Sequence, residues 1–317
     1  MPMSRRSGPS RGGAAGPPPA RLIRSRRRHR QAVLGPFRAP GPALPPLRSC
    51  TGIILGADRH RLVLQSGTDE IRLELTPDTR VWYGGRTGLE ALRPGREAIV
   101  RPRDDGPGVD RIWVDITRVT GTILSRGQDA IEVDAGPHRA HTQVLLPRQA
   151  LERVLVRHPQ LEPGHLIDVI GTRSPDGTLA ARPGTAQPWH PAATVQAAGP
   201  LHGTATWSDL GHRRGAAYPA VDPEGDSGGC PDARAGCVAL PYLSLGHDLI
   251  VRNSCTERAA AVPVVQCGCV AARFCDRCVE CGTSPRGRLV ELSPADYADL
   301  GGDLDTGCFN VTLEVSR

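Results

Sequence analysis

At 317 residues the chain exceeds a single small domain and has room for two or three folded units with linkers. Its basic residues are all arginine, and aromatics make up only 3% of the chain, so base-stacking nucleic-acid modules are excluded and any core must be built from Val, Ile, Leu and Ala. The net charge of +6 is uneven: residues 1–48 hold eleven arginines and no acid, while the remainder carries 28 arginines against 33 acids.

Residues 1–48 are rich in Pro, Gly and Arg and lack apolar periodicity, so they are expected to be a disordered basic tail or a degenerate export signal. Arg5-Arg6 hints at a twin-arginine signal, and Leu47-Arg48-Ser49-Cys50 distantly resembles a lipoprotein cleavage box. No stretch reaches the roughly eighteen apolar residues that would span a bilayer, so no transmembrane segment is expected.

A repeat follows. Thr51-Gly52-Ile53-Ile54-Leu55 recurs as Thr120-Gly121-Thr122-Ile123-Leu124, and Leu92-Arg93-Pro94-Gly95 recurs as Leu161-Glu162-Pro163-Gly164, both at an offset of 69. Two motifs at one offset predict two copies of one module, 49–116 and 117–185. Each is expected to be a small β-barrel: Ile71, Leu73 and Leu75 alternate with polar residues, and Ile112, Val114 and Ile116 alternate with Trp113 and Asp115. Each Pro-Gly leads into an apolar strand, Ala98-Ile99-Val100 or Ile167-Asp168-Val169-Ile170, which predicts a turn aiming a barrel strand and assigns it no chemistry. The modules weakly resemble small barrels of OB and SH3 shape. A Pro/Ala-rich linker, 186–198, precedes the third unit, 199–317.

In that unit Ser293, Pro294 and Asp296 predict a capped short helix that Gly301 stops, and Phe309, Val311, Leu313 and Val315 predict a closing strand. Nine of the ten cysteines lie between Cys230 and Cys308, a density expected of an exported, disulfide-stapled domain. Cys230, Cys237, Cys255, Cys267, Cys269, Cys275, Cys278, Cys281 and Cys308 are the disulfide candidates, with one left over. The tight spacing from Cys267 to Cys281 leaves a zinc site open as the competing reading.

His202-Gly-Thr-Ala-Thr-Trp207, the run from Val238 to Asn253, Ala260-Ala-Val-Pro-Val-Val265 and the run from Arg288 to Gly301 occur in one order. This set resembles the rare lipoprotein A-like double-psi β-barrel, shared with expansins and barwin-like proteins, in a chain of the kind exported by actinobacteria. The expected fold class is therefore all-β: two tandem small barrels, then a cysteine-rich six-stranded double-psi barrel with one or two short helices.

The resemblance implies an extracellular or cell-wall protein that binds peptidoglycan or another wall polymer. Family members with lytic transglycosylase activity use an aspartate where this chain has Gln266, whose amide cannot donate a proton to a glycosidic oxygen. The family's histidine falls near Cys237, so binding without catalysis is the leading expectation. Two alternatives stay open: a glycan-cleaving enzyme using Glu291 and Asp209 as acid and base, and a zinc protein built on the Cys267 to Cys281 cluster. Trp207, Arg273, Arg277 and Arg288 are the candidate binding residues, the arginines lying beside the barrel groove with Arg286.

Overall fold

The structure is a computed structural model that describes residues 48–150, 161–186, 199–224, 238–275 and 287–315. All of them belong to one unit, Pro42–Ser316. The basic tail up to residue 47, the linker from residue 187, and Cys230, Cys237, Arg277, Cys278, Cys281 and Arg286 lie outside the described residues.

The first sheet holds β1 (Cys50–Ala57), β2 (Arg61–Ser66), β3 (Asp69–Glu74), β4 (Arg80–Trp82), β5 (Arg86–Thr87), β6 (Glu97–Pro102) and β7 (Val109–Val114). Its order is β3-β2-β1-β6-β7-β4-β5, antiparallel except where β4 runs parallel to β7. The second sheet is a closed barrel, β10-β12-β11-β8-β9, built from β8 (Ile116–Arg126), β9 (Ala130–Asp134), β10 (Thr142–Leu145), β11 (Leu166–Ser174) and β12 (Gly177–Ala186). Counted within the module the order is 1-2-3-5-4 and back to 1, with strands 3 and 5 parallel, an order suited to a five-stranded Greek-key barrel.

The first sheet, expected as a barrel, is not closed as the second is, but the 69-residue offset is reproduced around the first strand and the Pro-Gly turn. The Ile54 N–H donates to the Arg96 carbonyl and the Gly95 N–H to the Ile54 carbonyl, both at 2.8 Å. One repeat on, Ile123 donates to His165 at 2.9 Å and Gly164 to Ile123 at 2.8 Å. The two Pro-Gly turns need a left-handed residue, and Gly95 and Gly164 supply φ of 86° and 87°. Each first strand breaks register at the same place, between Ile54 and Gly56 and between Ile123 and Ser125. Gly52 and Gly121 sit where the chain crosses the neighbouring strand so closely that an added Cβ would meet the carbonyl oxygen of Gln65 at 2.6 Å or of Asp134 at 2.2 Å.

The third sheet is a closed barrel of six strands: β13 (Leu201–Trp207), β14 (Ala216–Tyr218), β15 (Asp248–Asn253), β16 (Ala259–Cys267), β17 (Arg288–Leu292) and β18 (Phe309–Val315). The order β13-β17-β14-β16-β15-β18 contains two parallel pairs, β13 with β17 and β14 with β16. Exchanging the first three strands for the last three maps this pairing onto itself, so the barrel consists of two interlocked crossover halves. Of these four strands β13, β14 and β17 are nearly all buried, as strands covered on both faces must be, while β16 is partly exposed. Helix α1 (Pro294–Asp299) follows β17 with the expected cap: the Ser293 hydroxyl accepts from the Asp296 N–H at 3.1 Å, and Gly301 ends the helix at φ 84°.

The three sheets share one core. Trp82, Ile99 and Trp113 of the first sheet and Ile116 and Ile170 of the second pack in the same cluster as Leu201, Trp207 and Leu304 of the third unit. Alternation along β7 predicts Trp113 on the polar face, yet it is fully buried. The loop between α1 and β18 covers that face, and Asp305 accepts the Trp113 indole N–H at 2.8 Å.

Gly121→Ala should lower folding stability by about 1–3 kcal/mol, because the new methyl collides with the Asp134 backbone carbonyl as well as with the Val133 side chain. Chemical denaturation of the full chain checks this, and an unchanged midpoint would contradict the close crossing.

Candidate functional site

Glu291 sits on β17, paired in register with Thr206 of β13 and Ala217 of β14. That register turns its side chain inward, where only 3% of it is exposed. Its carboxylate lies 3.4 Å from the Arg288 guanidinium and 3.5 Å from that of Arg139, which comes from the second module. The loop carrying Arg139 closes over the site: Gly136, Pro137 and His138 face Cys267, Gly268 and Glu291 across a void of about 10 Å³. A void of that size holds at most one water.

Asp209 is separate. It is exposed, pairs with Arg173 of the second module at 3.1 Å, and turns back to accept the Gly211 N–H at 2.9 Å. The structure therefore does not join Glu291 and Asp209 into an acid and base around a shared cleft. Gln266 is half-buried near the end of β16, opposite Ala217.

Two expected binding residues are internal. Trp207 is buried, donates its indole N–H to the Leu304 carbonyl at 2.8 Å, and carries the Arg118 guanidinium 5.8 Å above its ring, so it offers no face to a glycan. Arg288 is 2% exposed and stacks 4.2 Å over the Phe274 ring. Its guanidinium meets Asp168 of the second module at 2.6 Å instead of lining an open cationic groove, while Arg277 and Arg286 lie outside the described residues. Arg273 is half-buried in a single 3-10 turn, Ala271–Arg273.

What organises this region is Asp168 on β11. Arg118 of β8 grips it with two bonds, Nε to Oδ1 at 2.7 Å and Nη2 to Oδ2 at 2.5 Å, and Arg288 of the third unit adds a third at 2.6 Å. Burial alone would push the Asp168 carboxyl up; the two guanidinium charges and their hydrogen bonds outweigh it and hold it well below the usual carboxylate range. Arg118 also donates to the Gly307 carbonyl, so one arginine ties the second module to two parts of the third.

A matching clamp comes from the first module. Arg111 binds both oxygens of Asp305 at 2.9 Å and also pairs with Asp303; Arg101 reaches Asp303 at 2.8 Å and the Gly302 carbonyl at 3.1 Å. Sequence reading missed these residues. The signal was present in the repeat: Asp168 and Arg118 stand where the first copy has Ile99 and Ser49, and such a coupled departure from symmetry marks a position facing something else.

Cys255, Cys267, Cys269 and Cys275 are disulfide-bonded. Cys308, expected among the disulfides, is instead a half-buried thiol. Cys50 is a free thiol whose pKa is pushed up by burial and by the charge of Asp299, with Arg214 opposing. The Sγ atoms of Cys267 and Cys269 and a ring nitrogen of His138 lie within 4.8 Å of one another, the one group among the described residues compact enough to suggest a metal. Zinc takes cysteine as thiolate. Sulfurs already in disulfides do not provide it, so the set does not fit zinc in the oxidised protein.

No protein-family model, curated protein or solved structure matches the chain. Among the described residues, no helix is long and apolar enough to cross a membrane.

Two outcomes follow. Asp168→Asn, which strands Arg118 as a buried cation and leaves Arg288 with Glu291 alone, should cost about 3–5 kcal/mol. The carboxylate's contribution is complete above its unfolded pKa of about 4 and is lost as pH falls through its depressed folded value, so the variant should show a shallower acid decline than wild type. Denaturation series from neutral pH down to about pH 2 would show both effects. Separately, a chelator should leave the melting temperature unchanged while a dithiol reductant lowers it, since removing a native disulfide costs about 2–5 kcal/mol. Scanning calorimetry with each additive distinguishes staples from metal.

Proposed function

We propose that this is an exported protein of the cell envelope whose third barrel, of double-psi type, binds wall glycan without cleaving it. The observation that carries the reading is the placement of Glu291: a carboxylate held between Arg288 and Arg139, under a loop of the second module, has no access to a glycosidic oxygen. Gln266 offers only an amide at the position where the resembling enzymes carry their acid. Four disulfide-bonded cysteines favour an oxidising compartment.

The two repeat modules act in this reading as a rigid mount, since they share a core with the barrel. Contact with glycan falls to exposed apolar side chains on the barrel: Tyr242 and Leu245, 40% and 43% exposed in the loop before β15, supply the flat apolar surface that a sugar face packs against.

The full chain, incubated with purified peptidoglycan, should co-sediment with it and release no soluble fragments by mass spectrometry. Tyr242→Ala combined with Leu245→Ala should weaken co-sedimentation by roughly tenfold, equivalent to about 1.4 kcal/mol. Released anhydro or reducing-end fragments that disappear in Glu291→Gln would replace this reading with a glycan-cleaving one.

A further inference from the structure

One cleft does not belong to the third barrel alone. It measures about 1170 Å³ and opens where all three sheets meet, between the β4 and β5 hairpin, strand β12 and the Asp305 to Cys308 segment. Ordinary small-molecule sites run to roughly 300–1,000 Å³, so this one suits a longer ligand.

Its charge is one-sided. Five arginines line it, Arg80, Arg86, Arg111, Arg118 and Arg182, against two acids, Asp168 and Asp305. The acids are already committed: Asp168 to Arg118 and Arg288, and Asp305 to Arg111 and the Trp113 indole. Two of the arginines toward solvent are not. Arg86 is exposed and has no ion-pair partner among the described residues, and the exposed Arg182 gives one N–H to the Asp305 carbonyl at 2.7 Å and pairs with no carboxylate among them. Arg80 shares Asp110 with Arg101 and keeps 46% of its side chain exposed. The buried arginines build the wall; Arg86 and Arg182, beside the Asp110-paired Arg80, leave uncompensated positive charge facing the opening.

Forked guanidinium groups match the paired oxygens of a phosphate, and several around one opening suit a chain of them. We infer that this junction is a second binding site, for a flexible polyanion carrying repeated phosphodiesters. The polymer as partner rests on the envelope reading above; the phosphate chemistry does not. Contact with the hairpin, β12 and the Asp305 segment together means that only the assembled three-sheet unit presents the site.

The test titrates the full chain with poly(glycerol phosphate), inorganic phosphate and single-stranded DNA of equal phosphate content, following heat of binding at several salt concentrations. Poly(glycerol phosphate) should bind with affinity that falls as salt rises. Arg86→Gln with Arg182→Gln should weaken it by roughly tenfold or more while leaving the melting temperature and co-sedimentation with peptidoglycan unchanged. Inorganic phosphate binding as tightly per phosphate as the polymer would assign the cavity to a free phosphate compound and overturn the polymer. Equal or tighter binding of DNA, or full polymer affinity in the double variant, would also overturn it. Loss of peptidoglycan binding with polymer binding intact would instead fault the glycan reading alone.

Discussion

The carboxylate of Asp168, held by Arg118 from its own barrel and Arg288 from the next, is the contact on which the assembly depends. A buried charge pair is weak evidence of net stability, because desolvation cancels much of the attraction. Its effect on geometry is stronger. Two guanidinium groups and one carboxylate satisfy each other in only one relative placement of the barrels, and any other leaves a buried cation unpaired. The same logic holds at Asp303 and Asp305, which Arg101, Arg111 and Trp113 grip from the first sheet. The short loop from Gly302 to Gly307 is thus read by both repeats at once.

That arrangement accounts for the burial of Glu291. Fixing the second module against the third unit lays the loop from Ala135 to Arg139 over Glu291, and Arg139 completes the neutralisation that Arg288 begins. Glu291 is covered by the neighbouring module, while Tyr242 and Leu245 stay exposed and a cleft lined by arginines opens between the sheets.

The disulfides belong to the same picture. A six-stranded barrel with few aromatics builds its core from Val, Leu and Ala around Trp207, Tyr218, Tyr297 and Phe309. Covalent staples at Cys255, Cys267, Cys269 and Cys275 restrain the loops that such a core holds weakly. Tyr218 shows how dry the interior is: burial pushes its phenol well above the ordinary range, and its hydroxyl donates to the Pro241 carbonyl at 3.0 Å.

Local patterns were legible in the sequence because they depend on near neighbours. The 69-residue repeat, the two Pro-Gly turns, the Ser293 cap and the alternation along β18 each arise from backbone sterics or period-two burial, and each has its counterpart in the structure. The mostly β, barrel-forming architecture follows from them. What faces what was decided only in three dimensions. Trp207 and Arg288 read as groove residues and are interior; Trp113 reads as surface and is covered; Glu291 and Asp209 read as a pair and keep different partners. Alternation tells which side chains share a face of a strand, but it carries no information about what packs on that face. Here that is settled by arginines and aspartates roughly 50 to 200 residues apart in the chain, whose pairing exists only once the barrels have met.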